Sequence, residues 1–206
     1  MNANEIILWA DHLERLAAQA ATDRLDRAPA PRGFLAWRGV IENDDSAQRS
    51  GAEPRLDELL WSAVCRPEEL GASLDQALPE RSDPGPLFPQ SASAAIEVWT
   101  ERDLCGLHAL ERLARQRRRD DWSRLVQNVA RWHLEHTQPD NATNRPWALH
   151  VFLLLSHESD PPDPEPRLYA ETLLHNCMVM QGRPDPLGAL ILIDAAATLR
   201  EAIGAR

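Results

Sequence analysis

The chain has 206 residues, 43% hydrophobic and 26% charged, which is enough apolar material for a packed core and too much for a disordered chain. All 22 basic residues are Arg and they face 32 Asp and Glu, so the net charge of -10 disfavours nucleic acid and anionic membrane surfaces as partners. Cys65, Cys105 and Cys177 are far apart with no CxxC pair, and they read as the reduced thiols of a cytoplasmic protein. The N-terminus lacks the basic start and apolar stretch of a signal peptide, and no apolar run approaches the roughly 20 residues of a bilayer span.

In chain order, Ile6, Leu8, Trp9, Leu13, Leu16 and Ala17 recur at helical spacing and predict a first helix over 3–22, with Pro29 and Pro31 beyond it. Residues 32–54 hold one apolar island, Phe34-Leu35-Ala36-Trp37, and are expected to form a loop held down by its Trp. Two short helices are predicted over 55–65 and 67–78. Pro79, Pro84, Pro86 and Pro89, with Gly85 and several Ser, then mark a linker over 80–92. It divides a helical appendage, 1–79, from a second region, 93–206.

That second region reads as five helical segments. Thr100 and Asp103 resemble a capping box for a helix over 101–117, and Asp120 or Asp121 caps the next, over 122–136. Pro146, Pro164 and Pro186 fall where first helical positions belong, the last two directly behind Asp163 and Asp185. No stretch alternates long enough for a strand, so the fold class is all-α, built of antiparallel helical hairpins.

Two stretches repeat: from Val129 through ARWHLEHTQPDNATNRPWALHVFLLL, and ETLLHNCMVMQGRPDPLGALILIDAAATL. In each, a His-bearing helix leads through a Gln and Pro-Asp turn into an apolar helix, matching His133 to His175 and His150 to Asp194. With WTERDLCGLHALERLARQ before it, the first stretch resembles the repeat of the terpenoid-cyclase and prenyltransferase α/α-toroid superfamily. Gln138, Asp140 and Trp147 stand for its turn, and the likeness covers residues 93–203. It implies an incomplete toroid-like arc of hairpins. It also implies a zinc site, since protein prenyltransferases hold zinc with an Asp-x-Cys and a later His; here these are Asp103, Cys105 and His150. The acidic DxDD signature of terpene cyclases is absent.

Sorting polar residues by helical face places His133 and His136 among Trp122, Leu125, Val126, Val129 and Trp132. His150 is the one titratable group in an otherwise apolar helix over 146–156, and Asp194 the one acid in another over 187–199. Equidistance from the turns sets His133 beside His150, and His175 beside Asp194. Two readings follow: each pair clips its own hairpin, or His133, His150, His175 and Asp194 form a catalytic cluster with Asp194 orienting a His as general base. The second requires a pocket walled by Trp147 and the turn Asp140, Asn141, Asn144 and Arg145. His108 shares a face with Glu101, Arg112 and Arg115 and is expected in solvent, as is the basic run Arg112, Arg115 and Arg117 to Arg119. The expected function is a protein-interaction or ligand-binding module, self-association included because the ends of an incomplete stack need covering. The alternative is a small enzyme using the His/Asp cluster. No cofactor and no metal are expected from the residues themselves, zinc at Asp103, Cys105 and His150 being only what the resemblance implies.

Overall fold

The computed structural model describes residues 3–20, 30–42, 56–66, 74–75, 78, 84–90, 95–139, 143–158 and 163–204. Within them the chain forms eight α-helices and no strand: α1 Ala3–Ala17, α2 Arg32–Trp37, α3 Leu56–Cys65, α4 Ile96–Arg117, α5 Asp120–His136, α6 Leu149–Glu158, α7 Pro164–Met178 and α8 Pro186–Gly204. Most of the helix predicted over 67–78 lies outside the described residues.

Local chemistry sets several helix ends. Asp163 accepts from the Glu165 N–H, with Pro164 at the first helical position, and the Asp185 carboxylate accepts from the Gly188 N–H at 2.7 Å. Pro146 starts no helix, because the backbone kinks to a left-handed Ala148 (φ 55°) before α6 begins at Leu149. Thr100 and Asp103 are no capping box either: α4 starts earlier, behind Ala95, so both lie within it. The expected loop after Pro31 is instead the short helix α2. Glu58 of α3 supplies its missing cap by accepting from the Arg32 N–H, and Gly33 lets it close on Trp61, where a Cβ would lie 2.7 Å from the Trp61 Cβ.

The helices pair differently from the predicted hairpins. α4 and α5 run antiparallel, with Trp99 against Trp132 near one end and Arg117 against Trp122 near the other. α6 packs on α7, the Phe152 and Tyr169 rings stacking at 4.3 Å. α8 lies mainly on α1 and more lightly on α6, not against α7 as its hairpin partner. The N-terminal helix takes that place, fixed in part by Arg200 reaching Asp11 and Glu14. The expected pairs α5–α6 and α7–α8 are thus displaced by one helix.

One apolar core joins all eight helices and includes Leu87 and Phe88, so residues 84–90 of the expected linker are packed, not free. Asp103 accepts from the Leu87 and Phe88 amides at 3.2 and 2.6 Å, and the Trp99 indole N–H donates to the Phe88 carbonyl. Gly106 makes room for this segment: a Cβ there would lie 2.6 Å from Phe88 Cζ and 2.9 Å from Leu87 Cδ2. Gly106→Ala should therefore lower stability by about 1–3 kcal/mol in urea denaturation, despite its better helix propensity. A more stable variant would show that this contact yields freely.

Candidate functional site

Among the described residues, four buried acidic or basic side chains lie on α4, whose middle is enclosed by α3, α5, α6 and α8. Asp103, His108, Glu111 and Arg112 all lie on this helix, each at most 5% exposed. Enclosure on all sides explains why the face expected in solvent is not there: His108 and Arg112 are interior residues. Three His–carboxylate pairs converge on α4, each joining it to a different helix.

The first ties α4 to α8. His108 Nε2 lies 3.1 Å from Asp194 Oδ2, while His108 Nδ1 accepts the Ala148 N–H at 3.2 Å. An amide can only donate, so Nδ1 is the acceptor and Nε2 carries the proton that is given to Asp194. The strained φ of Ala148 aims that amide at the ring. Burial pushes His108 down to about 4, with His150 and Arg112 adding to the effect against the pull of Asp194. Asp194 also accepts from the Trp37 indole and Arg38, at 2.9 and 3.1 Å, and pairs with Arg112 at 3.3 Å. Burial opposes its ionisation, but the His108 hydrogen bond, Arg112 and Trp37 prevail and hold the carboxyl well below the usual carboxylate range. Arg112 continues to Glu201 at 2.9 Å.

The second pair ties α4 to α6. His150 Nε2 lies 3.4 Å from Glu111 Oε2 without the alignment of a hydrogen bond, and the His150 ring stands edge-on to His108 at 4.3 Å. Glu111 Oε1 receives the Arg115 Nε–H. Burial works against the Glu111 charge, and His150 with Arg115 lowers its pKa regardless. The third pair ties α4 to α5: His133 Nε2 meets Asp103 Oδ2 at 2.7 Å, and its Nδ1 meets Thr137, which bonds the Tyr169 hydroxyl of α7.

The four residues expected to form one catalytic cluster are therefore dispersed. His133 is paired with Asp103 and His150 with Glu111, while His175 is exposed and apart from Asp194. The displaced helix pairing is the reason. His136 is likewise exposed, stacked on Trp132. Asp103, Cys105 and His150 hold no common centre: Cys105 receives the Trp61 indole N–H at 3.3 Å, and burial raises its thiol pKa well above the usual value. They do not fit a zinc ion, and among the described residues no three His, Cys, Asp or Glu side chains are grouped to hold a metal. Asp140 and Asn141 lie outside the described residues. Asn144 is exposed, Arg145 pairs with Asp185, and Trp147 is buried against Phe34, Trp61 and His108.

Among the described residues His150 and Asp194 are both fully buried. A concavity of about 390 Å³ opens beside them, lined by α1, α4, α5, α6 and α8. Ile6, Val151, Leu154, Leu155 and Ile203 form apolar walls, and Glu111, Arg115, Ser123 and Gln127 form a polar stripe along the α4–α5 seam. No protein-family model, curated protein or solved structure matches the chain. The site stands on its geometry alone. Sequence reasoning missed Trp37, Arg38, His108, Glu111 and Arg112, although the charged residues spaced along α4 were visible; the burial of every side of that helix was not.

Proposed function

We propose that the protein is a helical ligand-binding module whose site is the cleft among α1, α4, α5, α6 and α8. The carrying observation is a largely apolar concavity of about 390 Å³ with one polar edge, a size and composition suited to a small amphiphile. The buried His–carboxylate pairs are clips between helices on this reading. The His108–Asp194 and His133–Asp103 pairs are hydrogen-bonded, His150 and Glu111 meet as an ion pair only, and together they tie the helices that wall the cleft. In this arrangement α4, α6 and α8 are the inner helices, covered by α5, α7 and α1 as an arc of hairpins like part of a toroid. The unbridged thiols Cys65, Cys105 and Cys177 suit a cytoplasmic setting.

The neutral apolar dye N-phenylnaphthylamine should bind with saturation at one molecule per chain. Ala130→Trp, which fills the cleft from α5, should abolish that signal while leaving the far-ultraviolet circular dichroism unchanged. A folded variant that binds the dye as the parent does would place the site elsewhere.

A partner protein or second copy is the competing reading. It draws on the exposed Ile7, Leu8 and Leu168, with Leu8 and Trp9 of α1 sharing a shallow groove with Arg167 of α7.

A further inference from the structure

The accessible polar chemistry of the cleft is unevenly distributed. Its one carboxylate among the described residues, Glu111, is 5% exposed and turned inward: Oε1 takes the Arg115 Nε–H, and Oε2 is closed to water and faces His150. Arg115 is held through Nε by that buried acid, and its side chain remains about one-third exposed on the wall of the cleft. The terminal guanidinium nitrogens make no hydrogen bond among the described residues. A guanidinium fixed through Nε presents its two outer N–H groups as a planar fork, the geometry that receives a carboxylate in two parallel bonds. Ser123 and Gln127 of α5 continue the same stripe, and opposite it stand Ile6, Val151, Leu154, Leu155 and Ile203, with the half-buried His157 of α6 also on the lining.

From this charge complementarity we infer that the ligand is an aliphatic monocarboxylate, its carboxylate on the outer edge of Arg115 and its chain against the α1, α6 and α8 wall. The inference rests on the ligand-binding reading above and names its chemical class. At the roughly 30 Å³ that a water-sized group occupies in a liquid, the cleft holds about a dozen non-hydrogen atoms, which is the size of decanoate. An alkylammonium of equal length would set its charge against Arg115, with Glu111, the one acid lining the cleft among the described residues, already engaged. An alkanol would keep the apolar contact and forgo the charge-assisted bonds.

Isothermal titration of the full chain with decanoate, n-decanol and decylammonium tests this, with the neutral dye as a reference for the cleft. Decanoate should bind at least tenfold more tightly than n-decanol, with decylammonium weakest. Arg115→Gln should bring decanoate to the affinity of n-decanol and leave n-decanol unchanged. If the dye binds but n-decanol or decylammonium equals or exceeds decanoate, the carboxylate assignment is wrong and the cleft reading stands. If neither the dye nor any of the three binds, the cleft reading itself fails. Both comparisons on the parent protein remain decisive even where Arg115→Gln does not fold.

Discussion

Asp194→Ala should lower the free energy of unfolding by about 3–5 kcal/mol, the largest loss expected from any single change in this protein. The carboxylate is fully buried and is the common acceptor of the Trp37 indole, Arg38 and His108, with the Arg112 guanidinium beside it. Truncation leaves those donors in an interior where water cannot replace the lost partner. Arg112 retains Glu201, but the His108 Nε2–H and the Trp37 N–H have no second acceptor among the described residues. Asp194→Asn should cost less, since one amide oxygen still accepts, though it no longer balances Arg38 and Arg112. Chemical denaturation of both variants checks the order. A loss below about 1 kcal/mol for Asp194→Ala would mean that this cluster is not what joins α2, α4 and α8.

Acidification provides the second large effect. In the unfolded chain the His108 imidazole titrates near 6.5, whereas in the folded protein burial lowers it to about 4. Between those values the unfolded state takes up a proton that the folded state refuses, so stability falls as pH drops from about 6.5 to 4 and is fully restored above that window. The full effect is about 3 kcal/mol, at 1.36 kcal/mol for each pH unit. The Ala148 N–H aimed at Nδ1 acts in the same sense as burial, since protonating that nitrogen would set two donors against each other. Asp194 acts in the same direction at lower pH, because its depressed carboxyl pKa contributes stability above the ordinary carboxylate range and loses it as pH falls further. His108→Gln should flatten the slope between pH 6.5 and 4 and leave the steeper loss at lower pH. An unchanged slope in that variant would assign the proton uptake to another group.

These two residues also show what the sequence could reveal and what it could not. Asp194 is legible because it stands alone in the apolar run of α8, and a lone acid there must be paired. Its partners are not legible, since they come from Trp37, Arg38, His108 and Arg112, three of them on α2 or α4 at least 82 residues away and the fourth beside Trp37 in the chain. Local patterning gave the all-α class, the cap at Asp163 with Pro164, and the bounds of α3 to within a residue. Pairing inferred from chain order failed because α1, far away in sequence, competes successfully for α8. His108 was misplaced for a related reason. A polar stripe predicts a solvated face only when one side of the helix is free, and the middle of α4, Asp103 to Ala114, has none. The cleft could not be read at all, since its lining is contributed by five helices and neighbours in space rather than in sequence.

The claim that binding resides in the cleft, with the buried His–carboxylate pairs serving as clips, is tested most directly by a methyl NMR titration with decanoate. Chemical-shift changes are expected to concentrate on Ile6, Val126, Val151, Leu154, Leu155 and Ile203, while Leu60 and Leu104, buried beyond the cleft, stay still. Changes centred instead on Leu60 and Leu104, with the cleft methyls unmoved, would contradict it.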